Sequence, residues 1–267
     1  MCKGTKIIIN SNFFVTFAFM VKHQPIRSCL LLVLFCVALS LLAQSSSMFL
    51  NKKKEAGRVY ESSIPNDSIA EDQLLSCDLL FVVNRSGNAI TASTIGVANL
   101  PIDHVGIVCR DSCGVVVYEA IPHRGVVCTP LASFIAVNTP QRSLLPELLV
   151  ARVASKTFDA DKTKCLFTHI SAPYDSLYLP DNQAIYCSEL VQKTFVDSLE
   201  CPIFESVPMS FHDQNGVILP YWKRFYAQFG MEVPEGMPGT NPGQLSRSSL
   251  LQVLGWLKCS THHRKVF

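Results

Sequence analysis

The stretch from Asp103 to Ala120 constrains the fold most. Asp103-His104-Val105-Gly106-Ile107-Val108-Cys109-Arg110 is a β-rich run, Asp111-Ser112-Cys113-Gly114 is turn chemistry, and Val115-Val116-Val117-Tyr118-Glu119-Ala120 is a second β-rich run. Two strands joined this closely pair antiparallel. If the four-residue turn is symmetric, Arg110 pairs with Val115, Gly106 lies opposite Glu119 and His104 opposite Ile121. His104 and Glu119 then share a face as diagonal neighbours, about 7 Å apart at the backbone, a gap that long polar side chains close. Gly106 leaves room between them. A slip of one residue would send the two to opposite faces, and a strand histidine beside an edge carboxylate by chance fits the same pattern.

A second constraint is Ala184 to Val196. After Cys187 the apolar residues Leu190, Val191, Thr194, Phe195 and Leu199 fall at three- and four-residue spacing, the pattern of an amphipathic helix packed by one side. Cys187 therefore sits in its first turn. Unpaired backbone N–H groups and the positive end of the helix dipole there favour a thiolate and suit a developing oxyanion. A buried structural thiol would fit the same stretch, and the stretch alone leaves both readings open.

The remaining pattern is mixed α and β. Leu79 to Val83 reads as a strand ended by the turn cluster Asn84 to Asn88, and Ala89 to Leu100 as a loop or short helix. Arg124 to Thr129 and Leu148 to Val153 read as further strands, Pro130 to Val137 as a short helix, and Asp159 to Ile170 as a helix stopped at Ala172-Pro173-Tyr174-Asp175. Segments after Cys201, including Tyr221 to Tyr226, Val233 to Pro242 and the apolar Leu250 to Leu257, read as cover for the core and rim of a cleft. No internal repeat and no second domain are visible.

Composition matters chiefly for the address. Cys29 to Ala43 is an uncharged apolar run preceded by Lys22, His23 and Arg27 and followed by Gln44 and three serines, the order of a signal peptide and short for a spanning helix. Residues 1–44 are read as that leader, with Met20 a more ordinary start, and 45–68 as a polar linker. The expectation is an exported protein, periplasmic or cell-envelope associated, touching the membrane only if the leader stays uncleaved. The leader holds four of the 23 basic residues and none of the 21 acidic ones, so the rest of the chain carries −2, and a nucleic-acid footprint is absent. Eight of the 11 cysteines follow the leader; Cys109 and Cys113 are close enough to bridge, but the irregular spacing is unlike a disulfide scaffold.

A nucleophilic cysteine needs a base within hydrogen-bond reach and a third polar group to orient it. His104 with Glu119 supplies that pair from one hairpin, whereas His123, His169 and His212 lack an equally good orienting partner. A zinc site from His104, Cys109, Cys113, Cys259 and His262 would have only one tolerably spaced ligand pair. No metal or other cofactor is therefore expected. Gly-rich phosphate loops and a Gly-x-Ser-x-Gly nucleophile are absent from the sequence.

Asp78-Leu79-Leu80-Phe81, Ile102 to Val108, Tyr118-Glu119-Ala120 with Gly125-Val126, Pro173-Tyr174-Asp175, Tyr186 to Val191 and Gly239-Thr240-Asn241-Pro242 occur in the order found in a known group. Over about residues 70 to 255 the chain resembles the circularly permuted papain-like cysteine hydrolases of the YiiX/YebB group, related to the NlpC cell-wall peptidases. Histidine precedes cysteine in that group, the reverse of papain, as here. The resemblance implies an α+β permuted papain-like domain over 69–260, a small antiparallel sheet or half-barrel packed on the nucleophile helix. It implies Cys187 as nucleophile, His104 as base and Glu119 as the residue orienting it. Tyr174 and Tyr186 would lie at the substrate. The group usually has glycine where this chain has Cys77, which bears on a turn.

The implied function is cleavage of an amide bond in a small peptide or amino-acid amide, including cell-wall peptide fragments, through a thioester. Two alternatives accompany it. One is an acyl-ester or lipid hydrolase or acyltransferase, with Phe211, Tyr221, Trp222, Phe225 and Tyr226 lining an acyl groove; the other is a non-catalytic envelope-binding module. Nothing in the sequence sets the oligomeric state.

Overall fold

The β-rich runs of the sequence become the strands β2 (Leu79–Val83), β3 (Ile102–Asp111), β4 (Gly114–Ile121), β5 (Gly125–Pro130) and β6 (Leu148–Val153), and the described residues add β1 (Ser68–Ala70), β7 (Val207–Pro208), β8 (Pro238–Gly239) and β9 (Leu251–Lys258). The structure is a computed structural model that describes residues 64–65, 67–112, 114–139, 147–154, 168–180 and 183–258. Seven of the strands form one sheet in the order β1-β9-β6-β2-β3-β4-β5, and β7 and β8 pair apart from it. All neighbours in the large sheet run antiparallel except β1 and β9. The helices are α1 (Ala89–Ser93), α2 (Leu131–Val137), α3 (Cys187–Thr194), α4 (Pro220–Ala227) and α5 (Pro242–Ser246).

The sheet is covered on both faces. Leu79, Phe81, Val105 and Ile107 pack with Leu190, Val191 and Phe195 of the α3 segment, all essentially solvent-free. Leu80, Val82, Val108 and Val117 pack on the other face against Leu131, Phe134 and Ile135 of α2. Each such side chain contributes about 1.5–3 kcal/mol, so α3 is fixed to the sheet by the spacing that the sequence displays. A third cluster, Met209, Phe211, Trp222 and Tyr226, joins α4 to the loops before it.

The predicted α+β class and the hairpin register hold. Arg110 pairs with Val115 and Ile107 with Tyr118, although the strands run to Asp111 and Gly114 and close more tightly than a four-residue turn. Several local expectations are corrected. Leu251–Lys258, read as cover, is instead a strand hydrogen-bonded between β1 and β6. Leu199 does not continue the apolar stripe: α3 ends at Thr194, Phe195 is extended, and Leu199 is 79% exposed. Asp197 ends the helical path by accepting the N–H groups of Leu199 and Cys201 on Oδ1. Gly106 does not make room between His104 and Glu119; a Cβ there would run into Val117 Cγ1 and come within 3.2 Å of the Phe134 ring.

Cys77, where the resembling group has glycine, has φ 73, the left-handed conformation that glycine adopts freely. The neighbouring Asp78 is fully buried and accepts two hydrogen bonds from Arg152 of β6, at 2.6 and 2.8 Å. The leader, all of the linker except Ile64, Pro65, Asp67 and Ser68, the partner cysteine Cys113 and nearly all of the helix expected over 159–170 lie outside the described residues.

Candidate active site

A β-bulge places His104. Val82 pairs with His104 but Val83 pairs with Ile102, so Asp103 is an extra residue in β3. The side-chain alternation breaks there: Ile102, Val105 and Ile107 all join the α3 face of the core. The bulge re-aims two adjacent side chains. His104 lies beside the Phe134 ring, with centroids 6.1 Å apart, and its Nε2 is 2.7 Å from Glu119 Oε2. The diagonal pairing expected from the hairpin is thus closed to hydrogen-bond length.

The His104 ring is also hydrogen-bonded to Cys187. With Nε2 given to Glu119, Nδ1 is the nitrogen left for the thiol. Burial opposes the imidazolium, but hydrogen bonds to Cys187 and Glu119 and the negative charges of both outweigh it, and His104 is pushed up from 6.5 to about 10. His104 is thereby biased toward the imidazolium. Glu119, itself 5% exposed, is held on its other oxygen by Thr129 Oγ1, which donates at 2.6 Å. Thr129 escaped the sequence reading, although the logic that paired His104 with Glu119 finds it. Glu119 pairs with Val127 across β4 and β5, and Thr129 is the next residue on that face.

Cys187 begins α3, as the periodicity predicts, and is buried. Tyr186 precedes it in extended conformation and provides no side-chain cap, so no local side chain claims the first-turn N–H groups from that position. Glu189 Oε2 accepts from the Tyr186 N–H at 3.4 Å. The Tyr186 hydroxyl accepts from the Thr240 N–H at 2.9 Å, and Thr240 Oγ1 donates to Ser188 Oγ at 3.0 Å. The Gly239 to Pro242 motif therefore clamps the start of α3 from the far end of the chain.

Beside Cys187 lies a small, half-open cleft. Tyr174 and Tyr186, the two expected substrate contacts, both line it, together with Tyr178, Met209, Phe211 and Trp222. Tyr186 and Trp222 flank the Tyr178 ring edge-on, with centroids 5.3 and 5.9 Å away. Burial pushes Tyr178 up to about 12 against the pull of its hydrogen bond with Tyr174, and pushes Tyr186 up to about 12 against the hydrogen bonds with Thr240. Burial, then the charge of Cys187 and Tyr178, raise Tyr174 beyond the ordinary phenol range. All three remain neutral phenols. Of the aromatic residues weighed for an acyl groove, Phe211 and Trp222 line the cleft, whereas Tyr221 and Phe225 pack against Trp222 and Tyr226 is buried.

Other histidines are engaged elsewhere. His212 Nε2 is 3.5 Å from Glu235 Oε1, and His169 is shifted down by burial and then by the charge of Lys193. Of the zinc ligands weighed, Cys113, Cys259 and His262 lie outside the described residues, and among the described residues no three His, Cys, Asp or Glu side chains are grouped to hold a metal ion.

Known proteins share this arrangement of strands and helices. The family model of the permuted papain-like amidases, the YaeF/YiiX or C92 family, matches residues 78–255. Among solved structures, the crystal structure of the metalloprotein YiiX from Escherichia coli O157:H7 is similar in fold, with TM-score 0.53 and 21% identity over 69% of this chain and 99% of that one. No curated protein matches the chain.

Proposed function

The chain belongs to the permuted papain-like amidase family and is a cysteine hydrolase acting on amide bonds, and from that premise we propose that it cleaves small peptide or amino-acid amides through a Cys187 thioester. The carrying observation is the placement of His104 between Glu119 at 2.7 Å and Cys187.

Attack proceeds from the thiolate–imidazolium form of the pair, which the hydrogen bond between His104 and Cys187 supports. Cys187 Sγ adds to the carbonyl carbon, and the carbonyl oxygen becomes an oxyanion stabilised by first-turn N–H groups of α3, that of Cys187 included. The C–N bond breaks as His104 protonates the leaving nitrogen, giving an amine and a thioester. His104, now neutral, takes a proton from water; the hydroxide adds to the thioester, the C–S bond breaks, and acid and thiolate–imidazolium pair are released. Glu119 keeps Nε2 hydrogen-bonded throughout and compensates the imidazolium charge, and Thr129 holds Glu119 in place.

The apolar run before residue 44 supports export, and export supports cell-envelope substrates such as peptidoglycan stem-peptide fragments. The aromatic wall of the cleft favours a second reading, hydrolysis of acyl esters on the same nucleophile. Purified protein incubated with amino-acid amides, stem-peptide fragments and acyl esters separates the two. Release of amine above the Cys187→Ala background supports the first reading. Turnover of esters alone supports the second, and equal rates in wild type and variant refute both.

A further inference from the structure

We propose that Asp103 is a specificity residue that receives a primary ammonium group of the substrate, while the apolar remainder of the same substrate residue lies on the aromatic wall beside Cys187. This rests on the amide-hydrolase reading and narrows it to aminoacyl amides with a free amino group.

The cleft lining carries one carboxylate, Asp103, and no Lys, Arg or His. Asp103 Oδ2 accepts from Asn84 Nδ2 at 2.7 Å and from Asn88 Nδ2 at 2.6 Å. Among the described residues no donor reaches Oδ1 and no cation forms an ion pair with Asp103. Both asparagines are neutral, so they fix the carboxylate without cancelling its charge. A tie between the 84–88 turn and β3 needs only a neutral acceptor. The carboxylate keeps the lone pairs of Oδ1 for a cationic donor.

The placement follows from the backbone. Asp103 is the extra residue of the bulge, adjacent to His104, so one irregularity delivers the base to Cys187 and a carboxylate to the cleft wall. A second unsatisfied group lies in the same wall: Ser210 Oγ is buried without any hydrogen-bond partner. Its lone pairs suit a further N–H of the ligand. The rest of the wall is Tyr178, Met209, Phe211 and Trp222, which suits an aromatic or branched apolar side chain. An anionic group would meet the Asp103 carboxylate with no Lys or Arg in the lining, and is disfavoured.

The test uses two affinity reagents, phenylalanyl chloromethyl ketone with a free amine and its N-acetyl counterpart. In each, Cys187 Sγ displaces chloride from the chloromethyl carbon, forming a C–S bond. Labelling rates at Cys187 are read by intact-mass and peptide mass spectrometry, under conditions where the amine is protonated. The wild type is expected to react at least about tenfold faster with the free-amine reagent, the range of one charge-assisted hydrogen bond, and Asp103→Asn to bring the ratio close to one. Equal wild-type rates, or a preference kept intact in Asp103→Asn, overturn the proposal. The wild-type ratio needs no variant to fold. Iodoacetamide labelling with equal ketone rates sinks this inference alone; a Cys187 inert to all three reagents sinks the hydrolase chemistry and this inference with it.

Discussion

Exchanging Glu119 for glutamine removes one charge and little else. In Glu119→Gln both contacts are retained if the new side-chain carbonyl accepts from His104 and the amide donates to Thr129, so geometry is kept while the carboxylate is lost. A hydrogen bond to a charged group is worth about 1.5–3 kcal/mol and a neutral one about 0.5–1.5. The exchange therefore costs the imidazolium about 1–1.5 kcal/mol, roughly one pKa unit. His104 should titrate about one unit below its wild-type value of about 10. The sign for stability follows. The folded-state value lies above the ordinary 6.5, so the His104 contribution is complete below 6.5 and disappears as pH rises through about 10. Thermal unfolding should show Tm falling across that window, with the upper limit drawn down in Glu119→Gln. Ring 15N chemical shifts of His104 against pH give the microscopic value directly. A wild-type His104 titrating at or below 6.5, or identical curves in both proteins, would refute the argument.

Other predictions concern the supports of the site. Thr129→Val removes the 2.6 Å hydrogen bond to Glu119 and should lower kcat/KM roughly tenfold, with Thr129→Ser restoring it and the alkaline limb of the pH profile moving only in the valine variant. Gly106→Ala drives a Cβ into Val117 and should destabilise by about 1–3 kcal/mol in urea unfolding; an unchanged midpoint would contradict the packing described. Leu190→Ala, at a fully buried position of α3, should cost about 2–5 kcal/mol by the same assay.

The grouping of Cys187, His104 and Glu119 was legible because each sits where a short-range rule applies. A tight hairpin fixes register, and register alone set His104 and Glu119 diagonal; a three-four periodicity fixes where a helix begins, and put Cys187 there. Thr129 followed from the same register one hairpin later and was missed only because β4 and β5 were not aligned. Asp103 was hidden for a different reason. A bulge depends on how β2 meets β3, and no local signal in Ile102-Asp103-His104 marks an extra residue. The clamp from Thr240 to Tyr186 and Ser188 joins residues more than fifty positions apart, beyond any periodicity. β9 was misread because a bulge breaks its alternation: Gly255 pairs with Val150 but Val253 with Ala151, leaving Leu254 as an extra residue.

The central claim is that His104 holds Cys187 in its reactive form, and iodoacetamide labelling of Cys187, read by mass spectrometry in wild type and His104→Ala, tests it most directly. An ordinary thiol near neutral pH is only a few per cent thiolate, so pairing with an imidazolium can raise the reactive fraction by up to about thirtyfold. The account predicts fast wild-type labelling near neutrality that drops by about tenfold or more in His104→Ala. Slow labelling that is indifferent to His104 would contradict it.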